Sequence, residues 1–518
     1  MPKAAEESAT GRGRDLVDSK TFFETDYGAC LFPLQTNLLL IKNHGPALSQ
    51  HIAHILSEDP AHAGDNFLPQ ARVHAAKPRN HLRRTVILDP VASYFFYDLI
   101  YRNRSSFGQG GNRARRSFGY QFGKTKPIPV HKAYKEFTNA IEKNRKTFAH
   151  SISFDIASYF NSIYHHDATN WFASLPGVSG SDVSAFGRFC REINAGRSID
   201  FLPQGIYPAK MIGNEFLRFV DTSGQVKSSR LLRFMDDIYL FDNDEQVLIQ
   251  DFLRIQELLG LKGLNVNPTK TLIDTEGLSV HAEASAIQEE LTLIVDGHAT
   301  RSVFLGSGGD LADFDSDSHD DEDSSTLDEE KIGRLHELLL DPGADESDVE
   351  MILGILHENT ADVTEHIPNL LARFPNIVKQ LHKLASLIQD KDALAEAILE
   401  LIESDVPLIE YQLFWIAVIA EDHLMPTKQF GKLVLKLYER SAEHRIARAK
   451  ILEIPDQSFG LKEIREECLK TGASDWISWA AAVGTRSLKK AERNHALKYF
   501  SKGSSLNYLV AECVQKLP

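Results

Sequence analysis

Apolar residues follow two different patterns in the two parts of this chain. From Thr21 to about residue 305, β-branched runs such as Thr85–Pro90 alternate with stretches in which apolar residues recur at helical spacing. From Lys331 to Pro518 the helical spacing continues alone, with short polar breaks and no strict repeat period. The pattern predicts an α+β part followed by an all-α part of stacked helix pairs, as in HEAT-like repeats.

Two polar segments set the limits of these parts. Residues 1–20 are polar and charged without periodicity, which is typical of a flexible arm. Residues 306–330 are mostly Gly, Ser, Asp and Glu and cannot bury enough apolar surface to fold, so they predict an acidic linker. We therefore expect an arm at 1–20, α+β regions at 21–150 and 151–305, a linker at 306–330 and a helical-repeat domain at 331–518.

Two adjacent acids, Asp236 and Asp237, stand between apolar and aromatic residues in Arg233–Phe241. This arrangement predicts a tight hairpin with buried strands and a charged tip. A carboxylate pair of this kind is costly to ionise unless cations neutralise it, and oxygen ligands suit Mg²⁺. A surface turn is the alternative, and for the dipeptide alone it is the better interpretation.

Three further stretches carry candidate chemistry. Ser151–Ile163 begins as a strand with Asp155 near its end, a common catalytic placement that a helix N-cap would equally explain. In the second stretch, Pro203, Gln204 and Gly205 break the chain ahead of a helix. The third predicts a helix, a turn and a short strand that ends at Lys270.

The net charge of -15 does not exclude a nucleic-acid partner, because eleven acids and no Lys or Arg fall between Asp310 and Glu330. Glycines, arginines and aromatics interleave in Ser105–Phe122, which suits either a nucleotide-contacting surface or an ordinary glycine-rich loop. No apolar run is long enough to span a bilayer, and the four scattered cysteines indicate reduced thiols in a cytoplasm.

Taken together, Asp155, the Gln204–Gly205 loop, the Asp236–Asp237 hairpin and Lys270 resemble motifs A to D of the reverse transcriptases, in the order of that family. The resemblance covers roughly residues 75–275. It implies a right-hand-like polymerase, with fingers in 21–150 and a palm in 151–305, followed by the all-α helical-repeat domain.

The family's reaction explains the acids. Nucleotide addition is an attack on a phosphate in which negative charge accumulates, and two divalent ions held by carboxylates neutralise that charge. The resemblance implies Mg²⁺, with Mn²⁺ as an alternative, on Asp155 and Asp236, and Asp237 as the weaker ligand. Lys270 is implied as the group that protonates pyrophosphate, although a solvated lysine explains it equally well.

Nucleotide-binding residues are implied in the same way. Phe160 stands where the family places a steric gate against a 2′-hydroxyl, with Tyr159 beside it as the alternative. Gln204 and Gly205 match the loop that lies against the incoming nucleotide. Arg84, with Arg83 or Arg79 as substitutes, fits the fingers position that grips the triphosphate. Ala209 departs from the family, since many relatives carry serine there.

A palm followed directly by a helical domain resembles the antiphage, abortive-infection (AbiK-like) class of bacterial reverse transcriptases. That class implies dNTPs as substrates, DNA synthesis without a conventional template, protein priming with DNA attached to a tyrosine, and homo-oligomers. Tyr27, the only tyrosine before Tyr94, is the candidate priming residue.

Two other interpretations stay open. One is a templated reverse transcriptase of the retron or intron type that uses a noncoding RNA. The other is a catalytically inactive scaffold or binding protein, which the presence of all three aspartates disfavours.

Overall fold

The structure is a computed structural model, and it describes residues 18–58, 64–108, 110–112, 114–197, 201–274, 287, 291, 329–356, 361–456 and 460–518. Residues 1–17 of the predicted arm lie outside the described residues, whereas Asp18 caps the first helix and Ser19 and Lys20 belong to it. The predicted linker also lies outside them, except for Glu329 and Glu330 in the first turn of a helix.

The first part combines ten helices with two sheets among its described residues. The helices are α1 Ser19–Tyr27, α2 Gln35–Ser57, α3 Pro90–Arg102, α4 Val130–Arg145, α5 Tyr159–Ser162, α6 His165–Ala173, α7 Gly180–Ile193, α8 Tyr207–Phe216, α9 Arg218–Thr222 and α10 Glu245–Gly260. The strands are β1 Ala71–Lys77, β2 His81–Ile87, β3 Gly111–Asn112, β4 Arg115–Ser117, β5 His150–Phe154, β6 Arg230–Phe234, β7 Asp237–Asp242 and β8 Leu272–Asp274.

β1 and β2 form an antiparallel hairpin, and the other six strands form a mixed sheet in the order β3-β4-β6-β7-β5-β8. β4 runs parallel to β6, and the remaining pairs are antiparallel. α4 packs on β6 and β7, and α10 packs on β5 and β7. The alternating apolar residues of the central strands are therefore covered by amphipathic helices, which agrees with the α+β prediction.

Every regular element described from residue 329 onward is a helix. The α-helices are α11 Glu329–Leu340, α12 Glu346–Ile355, α13 Ile367–Arg373, α14 Val378–Leu387, α15 Lys391–Glu403, α16 Glu410–Ile419, α17 Phe430–Arg440, α18 Arg445–Glu453, α19 Leu461–Lys470, α20 Trp476–Gly484, α21 Lys490–Phe500 and α22 Ser505–Lys516. Alternate helices contact each other, as in the row α12, α14, α16, α18, α20 and α22. α16 is buried on all sides because this row, the helix's own neighbours and β1 surround it.

The helical part packs directly against the first part. Glu453 at the end of α18 is fully buried and accepts the backbone N–H groups of Gln35 and Thr36 at 2.8 and 2.7 Å. These are orphan donors at the start of α2, so a side chain from one part caps a helix of the other. Lys379 Nζ donates to the Ala29 carbonyl at 2.8 Å. Among the described residues, no helix is long and apolar enough to cross a membrane.

Candidate active site

The Asp-Asp hairpin is present, and its turn is tight. Phe234 pairs with Asp237, so Met235 and Asp236 alone form the tip between β6 and β7. Met235 has a φ of 55°, a left-handed conformation that is unfavourable for a residue other than glycine. Such strain persists only where the surroundings enforce it, and it occurs most often at functional sites.

The side chain of Arg233 holds this turn in its conformation. Its side chain is 1 % exposed, and Nη1 donates to the Met235 carbonyl at 2.9 Å. The same guanidinium holds Asp221 through two bonds, at 3.0 and 2.6 Å, and contacts Asn214 Oδ1 at 3.2 Å. A Cβ on Gly119 would lie 2.3 Å from Asn214 Oδ1, so only glycine fits there. The hairpin tip is therefore anchored to α8 and α9 by a buried ion pair.

Asp155 follows β5 directly and lies beside the hairpin. Phe154 pairs with Ile238, so the next position along each strand sets Asp155 opposite Asp237. The Asp155 backbone is fixed from the other side, because its carbonyl accepts the Asn267 N–H at 2.9 Å. The side chain is buried, and Oδ1 has no hydrogen-bond partner among the described residues.

The donor set fits a hard divalent cation. A buried carboxylate oxygen without a partner is costly, and a cation would compensate it. The described residues contain no group of three or more His, Cys, Asp or Glu side chains that could hold a metal ion by themselves. Mg²⁺ does not require such a group, since proteins commonly bind it through one or two carboxylates together with substrate phosphates and water.

The two hairpin aspartates act on different neighbours. Burial first, and then the charges of Asp237 and Tyr239, raise the pKa of Tyr134, whereas Asp236 contributes to the raised pKa of buried Tyr159. Tyr134 belongs to α4, which covers β6 and β7. The charge of Asp237 therefore affects the pKa of a side chain on α4, and the charge of Asp236 affects the pKa of a side chain on α5.

Lys270 lies near the first aspartate. Its Nζ is 3.4 Å from Asp155 Oδ2, and its side chain is 40 % exposed. The predicted strand ending at Lys270 is wrong: Pro268–Lys270 is a 3-10 turn that starts with a proline, and β8 begins only at Leu272. Asn267 caps this turn by accepting the Thr269 N–H at 3.2 Å.

The Gln204–Gly205 loop is held by three groups from distant segments. Thr85 Oγ1 on β2 donates to the Gln204 carbonyl at 2.5 Å. Asp26 is fully buried and accepts the Tyr207 N–H at 2.6 Å, which caps α8. Gly205 has a φ of 101°, and a Cβ there would lie 2.5 Å from the Leu31 side chain. Both the conformation and the space require glycine.

The steric-gate candidates pack against one glycine of α8. Tyr159 donates its hydroxyl to the Gly213 carbonyl at 2.5 Å, and the Phe160 ring is 3.1 Å from where a Cβ of Gly213 would be. Tyr159 is thereby fixed as a buried anchor. Phe160 is itself 5 % exposed, and its role stays a prediction.

The fingers arginines lie on β2 and differ in exposure. Arg83 is 3 % exposed, whereas Arg84 is partly exposed with its guanidinium 4.5 Å from the centre of the Phe201 ring. Phe201 precedes the Gln204–Gly205 loop, so Arg84 lies next to that loop. Of the two, only Arg84 is exposed to solvent to more than a small extent.

Tyr27 ends α1 and is partly buried. It lines a small cavity of about 40 Å³ together with Thr85, Gln204 and Gly205. Burial first, and then the charge of Glu453, raises the pKa of its hydroxyl.

One of the two interpretations of Ser105–Phe122 does not hold for its described aromatic rings. Phe118, Tyr120 and Phe122 are 4, 5 and 1 % exposed and belong to the core, so these rings of Ser105–Phe122 do not form a stacking platform. Sequence reasoning also missed Asp26, Asn214 and Asp221, because a single buried polar residue carries no local signal of the partner that it meets.

Comparison with known families agrees with this geometry. Residues 114–305 match the family described as reverse transcriptase (RNA-dependent DNA polymerase). A search among curated proteins finds no match. The matched segment contains Asp155, Phe160, Gln204, Gly205, Asp236, Asp237 and Lys270 and supports a palm-like polymerase fold, an RNA-directed DNA polymerase-like nucleotidyltransferase activity and binding of nucleotides and nucleic acid. Tyr27, Arg83, Arg84 and the helical part lie outside it.

Proposed function

We propose that this chain adds deoxynucleotides to a DNA end in antiphage defence of the abortive-infection type. The observation that carries the chemistry is the buried Asp155 carboxylate, with Oδ1 unpartnered among the described residues, set opposite the Asp236–Asp237 hairpin. Asp155 and Asp236 would hold Mg²⁺ or Mn²⁺, and Asp237 would support them. When bound, these ions neutralise charge on the reacting phosphate and on pyrophosphate.

The chain's own residues supply the remaining steps. Arg84, with Arg83 behind it, binds the triphosphate, and the Gln204–Gly205 loop orients the nucleotide against the primer end. Phe160 excludes a 2′-hydroxyl, which selects dNTPs. Lys270, 3.4 Å from Asp155, delivers a proton to the departing pyrophosphate.

Incubation with each dNTP and Mg²⁺ or Mn²⁺ tests this function. Wild type should incorporate dNTPs, and Asp155→Asn and Asp236→Asn should not, while Glu337→Gln, at an exposed position of α11, should behave as wild type. Sequencing the product with and without copurified RNA separates untemplated synthesis from a templated retron- or intron-type reaction. Incorporation that survives both aspartate variants would contradict this site, and no incorporation by wild type would favour a scaffold.

Protein priming on Tyr27 is part of this proposal. Burial raises the pKa of its hydroxyl and makes deprotonation harder, so priming requires removal of that proton at the site. Tyr27→Phe should abolish protease-sensitive DNA adducts, whereas Tyr508→Phe, an exposed tyrosine of α22, should keep them. Adducts that persist in Tyr27→Phe would exclude this residue.

Phage plating tests the biological role. Cells that carry wild type should reduce plaque formation, and Asp236→Asn should abolish that protection at equal protein level. Light scattering of the purified chain tests the homo-oligomer that the class implies.

A further inference from the structure

A second cavity lies behind the hairpin. It has a volume of about 460 Å³ and opens between β4, the end of α8, α9 and Arg233 of β6. This volume falls in the range of small-molecule sites, roughly 300–1,000 Å³. The described residues that line it include none of the aspartates, arginines or loop residues assigned to the reaction above.

Five of the twelve described residues that line it are charged. Arg115, Arg218 and Arg233 face Glu215 and Asp221, so the formal balance is three positive charges against two negative ones. Arg233 is paired with Asp221 at 2.6 Å, and Arg218 is paired with Glu215. Arg115 donates to the carbonyl groups of Ala114 and Val226 at 3.1 and 2.9 Å. The positive balance in a partly enclosed space favours an anion.

Gln121 sets a second requirement for a ligand of this cavity. Its side chain lines the same cavity, is 2 % exposed, and its Oε1 has no hydrogen-bond partner in the part of the chain that the structure describes. An unsatisfied buried acceptor is unfavourable and is compensated by an N–H or O–H donor. A ligand that suits both features carries an anionic group and a donor.

We propose that this cavity binds an organic phosphate of nucleoside-monophosphate size, with the phosphate toward the arginines and a base N–H on Gln121 Oε1. Inorganic phosphate carries the anionic group but no base N–H. Because Arg233 also holds the Met235 carbonyl at 2.9 Å, the occupant lies directly behind the hairpin that carries Asp236. The site is separate from the one that holds the reacting nucleotide.

The test is equilibrium binding of AMP, CMP, GMP and UMP to the full chain in EDTA, with adenosine and inorganic phosphate as partial probes. At least one nucleotide should bind more tightly than both partial probes. Arg218→Gln should weaken that binding about tenfold, and Glu215→Gln should strengthen it severalfold because it removes a negative charge. Gln121→Leu should weaken the nucleotide about tenfold and leave inorganic phosphate unchanged.

Two controls keep the result decisive. Gln121→Leu removes an unpartnered acceptor, so its melting temperature should not fall, and it remains informative if an arginine variant does not fold. Binding should persist in the Asp155→Asn/Asp236→Asn double variant even if dNTP incorporation is lost. The proposal is overturned if no nucleotide binds at millimolar concentration, if the cavity variants leave binding unchanged, or if the double aspartate variant abolishes it.

Discussion

The indole N–H of Trp415 donates to the backbone carbonyl of Leu31 at 3.1 Å. Trp415 belongs to α16 of the helical part, and the Leu31 side chain occupies the space where a side chain at Gly205 would lie. The helical part therefore supports the segment against which the Gln204–Gly205 loop rests. A change in α16 can reach that loop through one hydrogen bond and one apolar contact.

Gly205→Ala tests this contact. The added methyl group meets Leu31 and forces alanine into a φ of 101°, so we expect a loss of roughly 1–3 kcal/mol in unfolding free energy. In a Leu31→Ala background the steric part should disappear while the backbone strain remains. Chemical denaturation of the two single variants and the double variant measures the coupling. Equal costs of Gly205→Ala in both backgrounds would show that backbone strain alone matters.

The Arg233–Asp221 pair allows stability to be separated from catalysis. Arg233→Met removes the guanidinium that pairs with the buried Asp221 carboxylate, and this should cost roughly 3–5 kcal/mol of stability. Arg233→Met/Asp221→Leu replaces both charges and should recover most of it. Incorporation of dNTPs should stay low in the double variant, because the Met235 carbonyl still lacks its donor. Full recovery of activity together with stability would show that Arg233 does not position the hairpin.

The local parts of this site could be predicted from sequence, and its long-range contacts could not. The Asp236–Asp237 turn, the strand before Asp155 and the helix after Gly205 all follow from patterns within a few residues. The partner of Arg233 lies on another element, and the ring of Tyr120 is buried by the packing of segments far apart in sequence. Local patterns carry no information on either, which is why the sequence of a basic aromatic stretch suits a surface and a loop equally well.

The hydrogen bonds of Glu453 join the helical part to the first part, so their removal should lower the stability of the whole chain. The two Glu453 oxygens satisfy the N–H groups of Gln35 and Thr36, so Glu453→Ala leaves two buried donors without an acceptor and should cost roughly 2–5 kcal/mol. Glu453→Gln keeps one acceptor and should cost less. Glu512→Gln is the control, since its contact with His44 is partly exposed and should be worth no more than about 1 kcal/mol. Denaturation curves measure all three, and a Glu453→Ala cost no larger than that of Glu512→Gln would contradict the cap.

Glu350 makes the helical part sensitive to pH. Burial raises its pKa from 4.5 to about 7, and the neighbouring charge of Glu346 adds to this effect. Between these two pH values the folded chain therefore keeps a proton that the unfolded chain releases. The stabilisation from protonated Glu350 is complete below about pH 4.5 and is lost as the pH rises through about 7. The loss amounts to roughly 3 kcal/mol.

Glu350→Gln should flatten this part of the pH dependence and be more stable than wild type at pH values above about 7. The substitution keeps Oε1, which accepts from Asn376 and Gln380 at 3.2 and 3.0 Å. Burial also raises the pKa of Glu215 to about 7, and Glu215 contributes a similar pH dependence of stability to wild type and to Glu350→Gln. The difference between the unfolding free energies of these two proteins therefore isolates Glu350. Denaturation at a series of pH values measures it, with exposed Glu337→Gln as the control. A difference that does not change between acid and neutral pH would mean that Glu350 is already ionised in the folded chain.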